Sequence, residues 1–431
     1  MCAAIAGGNA GWPDGEGIRD KDSDPRPALR GREGGDPNEK MSHYDSLETR
    51  SADERAAAQL ATLNAQLARI GFDPVSELSA LAGLPVLRKS DLGQRQKDSK
   101  PFGGIPVANL AHVFQSPGPI YEPGGVSHDW WRMGRFLHAA GVGKGDIVQN
   151  CFGYHLTPAG MIFENGARAV GAVVLPAGTG QTDLQVRAAA DIGTTAYAGT
   201  PDFLKVILDK AEEMGERLSL TKAAVGGGAL FPSLRREYAD RGISCLQCYA
   251  TADLGNIAYE SPAMEGMIVD EGVIVEIVRP GTGDPVPEGE VGEVVVTTLN
   301  PDYPLIRFAT GDMSAVMTGQ SPCGRTNLRI KGWMGRADQR TKVKGMFVDP
   351  KQIDEVVKAS KGVARARLVV DRAGDSDAMT LMVEPSPGAS PDIEALSAAL
   401  AVHTKLRGAV EIANGLANDG KVIDDRRDYS K

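Results

Sequence analysis

Apolar residues recur along this chain with two different periods, and the changes of period mark its parts. Ser51 opens the first clear element. Ser51 and Glu54 form an S-x-x-E capping box, and Leu60, Leu63, Leu67 and Ile70 then mark one face of a helix. From about 128 to 250, strand and helix patterns alternate. Strands are predicted at 146–151, 170–176, 194–198, 222–226 and 243–248, with helices between them that include 156–168, 200–214 and 231–241. That alternation predicts an α/β fold with a mainly parallel sheet flanked by helices. Residues 267–317 switch to short β patterns such as Val273 to Val278 and Glu293 to Thr298, which predict an antiparallel β subdomain. After about 337 the pattern restarts as helix 350–360, strand 364–371, strand 378–384, helix 391–406 and strand 409–413. Those elements make a small α+β C-terminal domain of residues 338–431, behind a large N-terminal domain of residues 41–337.

Residues 1–40 fit neither period. They hold eight Gly and four Pro with many charges, and they are read as a disordered extension, with Met41 as a candidate true start. At 431 residues and 42% apolar content the rest has ample material for a core. A net charge of −9 gives no basic field for nucleic acid or an anionic membrane, and no apolar run approaches a membrane span. The five cysteines are too sparse for a disulfide framework and fit a reducing cytoplasm.

The most informative stretch runs from Pro304 to Asp312, followed by Gly335-Arg336-Ala337-Asp338. The first reads as a short buried strand that breaks at Gly311 and presents a carboxylate, an acceptor suited to the paired hydroxyls of a ribose. Arg336 supplies a planar guanidinium for phosphate or sugar oxygens. Gly226-Gly227-Gly228-Ala229 stands between a strand and a helix, where glycine lets a flat ring or a phosphate approach the backbone. An ordinary strand-to-helix turn accounts for it equally well. Tyr249-Ala250-Thr251-Ala252-Asp253 follows a predicted strand, where ligands bind parallel sheets. Thr251 offers a hydroxyl and Asp253 a hard oxygen for Mg²⁺, while a helix cap is the plainer reading of both. Cys245-x-x-Cys248 is read as core packing. Ser116 to Gly125 is Gly/Pro-rich, either a phosphate loop or a rigid turn, and Lys421 alone near the terminus reads as a surface lysine.

In order along the chain, these motifs resemble the adenylate-forming (acyl-CoA synthetase) superfamily, and its phenylacetate–CoA ligase branch most of all. The resemblance begins at Tyr44 to Arg50 and Leu84 to Leu92 and continues through Gly227-Gly228, Tyr249 to Asp253, Leu305 to Asp312, Gly335 to Gly345 and Gly420-Lys421. It implies ATP, Mg²⁺ and coenzyme A as reactants, a mobile C-terminal lid, and two steps: acyl-AMP formation, then thioester formation. By match, Gly227, Gly228 and Ala229 lie along the adenine with Tyr249 and Ala250 beside it. Thr251 contacts the α-phosphate, Asp253 holds Mg²⁺, and Asp312 and Arg336 bind the ribose. Asp338 is the hinge, Lys344 and Gly345 lie on the loop that enters the site for thioester formation, and Lys421 is the adenylation lysine.

Two departures stand out. The stretch aligned with the family's phosphate loop, Ser116-Pro117-Gly118-Pro119, has no lysine. The cysteines of a structural zinc site found in some relatives are reduced to Cys323, with Ser261 and Ser321 nearby, so no zinc is expected. The resemblance implies an ATP-dependent carboxylic acid–CoA ligase acting on an aromatic or hydrophobic acid, with Phe152 and Tyr154 as candidate lining. Its partners are small molecules, with no nucleic acid and no membrane, and a homodimer is left open. Two alternatives remain: an adenylating enzyme that passes its acyl group to a carrier protein or an amine, and a nucleotide-binding protein that has lost adenylation.

Overall fold

The computed structural model describes residues 42–431 apart from 117, 118, 281, 338–340, 374, 375, 414, 417–421 and 428–431. The extension 1–40, Met41, the hinge candidate Asp338 and the adenylation candidate Lys421 therefore lie outside the described residues. The helix begun by Ser51 runs Ala52–Arg69. Ser51 Oγ accepts the Glu54 N–H at 3.2 Å while the Glu54 carboxylate accepts the Ser51 N–H at 2.9 Å, the reciprocal box predicted. Leu63 and Leu67 are fully buried from this helix, each gaining roughly 1.5–3 kcal/mol from burial. Its polar side chains clamp a neighbouring sheet: Gln59 donates to the Glu271 and Val273 carbonyls, and Gln66 to that of Thr298.

A nine-stranded sheet forms the middle of the large body. On one side Val173–Leu175, Ile147–Asn150, Ala196–Gly199, Lys222–Val225 and Ser244–Thr251 run parallel. On the other side Gly255–Tyr259, Met267–Val269, Arg329–Ile330 and Val316–Met317 continue it antiparallel. The direction changes within Ser244–Thr251: residues 244–247 pair parallel with Lys222–Val225, and 248–251 pair antiparallel with Gly255–Tyr259. Aromatic side chains pack the core beside it, among them Trp130, Trp131, Phe136, Phe163 and Tyr259.

The predicted antiparallel subdomain is divided. Val273–Val278, Gly292–Thr298 and Phe308–Ser314 make their own sheet with Leu87–Arg88, whereas Met267–Val269 and Val316–Met317 belong to the edge of the nine-stranded one. The strand read from Pro304 begins only at Phe308. Arg307 stands at φ 45° and turns its buried guanidinium onto Glu276 and the carbonyls of Ala82, Leu84 and Gly283, which keeps 304–307 out of the ladder. The strand also does not end at Gly311. It runs to Ser314 through a bulge, with Val295 opposite Ala309 and Glu293 opposite Met313.

The C-terminal elements follow the predicted order. Val363–Ala373, Ser376–Pro385, Ala409–Ile412 and Ile423–Asp425 form a four-stranded sheet, and Pro350–Ala359 and Ile393–Thr404 are its helices. Leu368, Val370, Leu381, Val383, Leu396 and Leu400 make a separate core there. Among the described residues no helix is long and apolar enough to cross a membrane.

Candidate active site

The C-terminal ends of the parallel strands and the loops that leave them carry Phe152, Thr200, Gly226 to Ala229 and Tyr249 to Asp253. A sheet whose strand direction changes beside such loops is a place where open α/β folds bind ligands. Gly227 has φ +70° and, with Gly228 and Ala229, is exposed. A side chain at Gly227 would stand 3.6 Å from the Phe152 ring and 3.9 Å from the Thr200 methyl, so the backbone itself faces this space. Gly226 is needed for packing: a Cβ there would lie 2.9 Å from Cys248 Sγ. The loop is held to its neighbour strand by Leu230 N–H on Gln247 Oε1 at 3.2 Å. Gln247 Nε2 in turn donates to Glu260, which Arg235 grips through both oxygens.

Tyr249 to Thr251 lie on the strand rather than after it, and Thr251 to Leu254 turn directly into Gly255–Tyr259. The helix-cap reading of Thr251 and Asp253 therefore falls: Thr251 Oγ1 accepts the Leu254 N–H at 3.2 Å, but within a hairpin turn. Asp312 sits in the bulge and is buried, with partners on both oxygens. Trp333 Nε1 at 3.0 Å and Arg336 Nη1 at 2.8 Å donate to Oδ1, and the Tyr249 hydroxyl donates to Oδ2 at 2.8 Å. Burial first, and then the Asp312 charge, hold the Tyr249 phenol far above its ordinary value, so it stays a donor. Gly311, at φ +75°, is the residue over which Arg336 lies, and a Cβ there would stand 2.5 Å from Arg336 Nη2. The chain after Trp333 lies along the bulge, with Met313 N–H on the Gly335 carbonyl and Ala337 N–H on that of Gly311, both at 2.9 Å. The two halves of the most informative sequence stretch are thus one local structure.

Asp253 is different. Its side chain is fully buried and Lys89 donates to Oδ2, while Oδ1 is buried with no hydrogen-bond partner. A hard, unshared carboxylate oxygen fits a divalent cation. The residue matched to the family's phosphate stretch, Ser116, donates its hydroxyl and its N–H (3.1 Å) to Glu122. Lys89 and Trp333 were given no role of their own from sequence, because their meaning depends on contacts across 164 and 21 residues that no local pattern encodes.

From the C-terminal part, Thr341–Val343 and Met346–Val348 form a hairpin whose two turn residues, Lys344 (φ 48°) and Gly345 (φ 81°), are left-handed and exposed. The Lys344 N–H is tied to Asp377 at 2.7 Å. The hairpin side chain that reaches the glycine loop is Lys342, whose ammonium donates to the Gly227 carbonyl. Desolvation pushes Lys342 below its ordinary value against the pull of Asp202, Asp312 and Asp377. Nearby, the Arg372 guanidinium stacks on Phe231 at 3.4 Å.

Residues 154–300 match the AMP-binding enzyme family. Over 337 residues the chain is 30% identical to the phenylacetate–coenzyme A ligase of Thermus thermophilus, an alignment that covers 73% of this chain and 75% of that one. The chain belongs to the phenylacetate–coenzyme A ligase family. Its class is therefore AMP-forming acid–thiol ligation. Two solved structures of 2-hydroxyisobutyryl-CoA ligase share the fold at 24% identity. One, in complex with 2-HIB-AMP and CoA in the thioesterification state, gives a TM-score of 0.74 and covers 89% of this chain and 92% of that one. The other, in the postadenylation state, gives 0.64 and covers 91% and 94%.

Two further motifs of this ligase are structural. Glu48 of the Tyr44 to Arg50 stretch is fully buried and accepts the Tyr259 hydroxyl at 2.6 Å and Arg325 Nε at 2.9 Å. Cys245 and Cys248 are buried in the core, where desolvation pushes both thiols up, Cys245 to about 12. Cys323 Sγ lies 3.0 Å from Ser321 Oγ. Burial pushes that thiol up, but hydrogen bonds with Ser261, Ser321 and Arg325 outweigh it and hold it below its ordinary value. Among the described residues no group of three or more His, Cys, Asp or Glu is placed to hold a metal ion.

Proposed function

We propose that this ligase uses ATP to convert an aromatic or other hydrophobic carboxylic acid into its coenzyme A thioester through acyl-AMP. The observation that carries the reading is the buried Asp312, oriented by Tyr249, Trp333 and Arg336 beside the open backbone of Gly227 to Ala229. That pairing suits a nucleoside: a flat base along the glycines and ribose hydroxyls on the carboxylate.

In the first step a carboxylate oxygen of the acid attacks the α-phosphorus of ATP. The bond to the bridging oxygen breaks, and pyrophosphate leaves. Thr251 and Lys421 would stabilise the phosphate charge that grows in that step, and Asp253 is the residue that would hold Mg²⁺. The metal, when bound, neutralises phosphate oxygens. In the second step the thiol sulfur of coenzyme A attacks the acyl carbon, the acyl–phosphate C–O bond breaks, AMP leaves and the thiol proton goes to solvent. Residues 41–337 and 338–431 act as body and lid, with Asp338 as pivot. Lys342 on Gly227, Arg372 on Phe231 and the higher similarity to a thioesterification-state structure all support a lid set for the second step. Phe152, stacked on Phe163 with centroids 4.3 Å apart, supports an apolar acid at the glycine loop.

Pyrophosphate release over a panel of acids, with and without coenzyme A, tests the reading. Release with acyl-CoA formation is the expected result. Acyl-AMP without consumption of coenzyme A would move the acceptor to a carrier protein or an amine, and AMP binding with no release from any acid would leave a nucleotide-binding protein. Lys421→Ala is expected to stop pyrophosphate release yet leave thioester formation from supplied acyl-AMP, and Lys342→Ala to do the reverse. Equal loss of both steps in either variant contradicts the two-pose assignment.

A further inference from the structure

The glycine loop 226–231 is held at both ends by the C-terminal part. Lys342 donates to the Gly227 carbonyl at one end, and the Arg372 guanidinium lies on the Phe231 ring at the other. The two side chains come from different hairpins, Thr341–Val343 with Met346–Val348 and Val363–Ala373 with Ser376–Pro385. Thr341 and Val343 on either side of Lys342 are buried, Val343 in the C-terminal core, so the pleat turns Lys342 away from that core. Whatever fixes Thr341 therefore also aims Lys342.

Asp377 joins the two hairpins. It stands directly opposite Arg372, so both side chains leave the same face of one rung. Its Oδ2 accepts the Lys344 N–H at 2.7 Å, and its Oδ1 accepts Arg427 Nη1 at 2.8 Å. Arg427 is buried and carries the link back to the first hairpin: Nη2 donates to Thr341 Oγ1 and Nε to Asp425 Oδ1, both at 2.9 Å. Thr341 in turn donates to Asp425 Oδ2. Burial would raise the Asp425 carboxyl, but bonds from Arg427 and Thr341 hold it below its ordinary value, so the pair is ionised at neutral pH. A two-residue turn closes without a side-chain partner, yet Asp377 adds a charge-assisted bond to this one. One ionic cluster thus fixes the backbone on both sides of Lys342.

We propose that Asp377 is a positioning residue: with Arg427 it braces hairpin 341–348 against the Arg372 rung, so that Lys342 and Arg372 seat on the glycine loop together. Asp377 acts through Lys342, and its consequence, faster thioester formation, rests on the ligase reading above. Displacing a reacting group by about 1 Å costs up to about a hundredfold in rate.

The half-reactions test it, with the acid of the panel above that releases most pyrophosphate. Asp377→Ala is expected to lower kcat for thioester formation from supplied acyl-AMP by about tenfold or more, with KM for coenzyme A and pyrophosphate release within about threefold of wild type. Hydrogen exchange of the full chain with AMP and coenzyme A, read by mass spectrometry, is expected to speed up about tenfold in 341–347 and 226–231 and to stay unchanged in 393–404. A thioester kcat within about twofold of wild type, equal loss of both half-reactions, or wild-type exchange in 341–347 and 226–231 overturns the brace. If 393–404 also loosens, Arg372→Gln decides, since it breaks the stack on Phe231 and keeps both bonds of Asp377. Slower thioester formation in that variant with faster exchange in 226–231 supports the brace, and a kcat within about twofold of wild type overturns it. A wild type that forms no acyl-CoA, while Asp377→Ala shows the localised change in exchange, leaves the brace standing and removes the ligase reading. A wild type that forms acyl-CoA, with Asp377→Ala matching it in rate and exchange, does the opposite.

Discussion

Asp312 and Asp253 are both buried carboxylates proposed for the ligand site, and the fold treats them in opposite ways. Asp312 has donors on both oxygens: Trp333 and Arg336 on one, Tyr249 on the other. Asp253 has Lys89 on one oxygen and nothing on the other. A buried charge with its hydrogen bonds made is fixed in place, and exchanging one protein donor for a ligand hydroxyl changes little in free energy. A buried charge left half-partnered costs stability until a cation or donor arrives. The first arrangement suits recognition of a neutral polar group, and the second suits a metal.

That difference predicts different losses from the same chemical change. Asp253→Asn keeps the shape but removes the charge that would hold Mg²⁺. It is expected to slow pyrophosphate release about a hundred- to a thousandfold while AMP, which needs no metal, binds within threefold of wild type. Asp312→Asn is expected to weaken AMP binding itself by about tenfold or more, since charge-assisted hydrogen bonds to the ribose are lost. Isothermal titration with AMP and a pyrophosphate-release assay on both variants decide it. The same pattern of loss from both would erase the contrast.

Glu48 sharpens the contrast from the stability side, as a carboxylate that is saturated without facing any ligand. Burial alone would raise its pKa, but hydrogen bonds from Arg325, Tyr259 and the Tyr44 N–H hold it below the usual carboxylate value. A folded-state pKa below the unfolded one contributes stability above the unfolded value, near 4.5, and loses it as pH falls through the lowered folded value. Glu48→Gln leaves Arg325 buried without its charge partner and is expected to cost about 3 kcal/mol at pH 7. Urea unfolding should show that gap closing as pH drops below the carboxylate range. A gap that stays constant with pH would mean packing, not charge, gives Glu48 its place.

Periodicity carried most of the fold because burial on one face of a helix or strand is a local property. Ser51 with Glu54 and the parallel strands from 146 to 248 were legible in this way. The helix Thr182–Ile192 carried no start signal, since the residue before it, Gln181, is left-handed at φ 48° and makes no side-chain cap. Pro304 to Arg307 looked like strand by composition, but the buried guanidinium of Arg307 needs carbonyls and Glu276, which a ladder would not provide. At the site, glycines were legible where the backbone demands them, as at Gly227 and Gly311. Partners were not. Nothing near residue 89 in sequence announces Asp253, because that contact is made only when the fold is assembled.

The smallest effect tests how Asp312 opens for its ligand. The Tyr249 hydroxyl donates to Asp312 Oδ2 at 2.8 Å and also lies 3.2 Å from Thr310 Oγ1. Its phenol is held far above its ordinary value by burial and the Asp312 charge, so it stays a donor at neutral pH. If a ribose hydroxyl takes over Oδ2 when nucleotide binds, Tyr249→Phe removes a bond that the complex does not use. The variant should then melt earlier, with a stability loss of about 1.5 kcal/mol for a hydrogen bond to a charged group, while AMP affinity stays within threefold. If the hydroxyl remains on Asp312 in the complex, the carboxylate is left loose and AMP affinity falls tenfold or more. That second outcome would make Tyr249 part of the bound-state machinery, and Asp312 a carboxylate that binds ribose with its remaining lone pairs rather than by exchange.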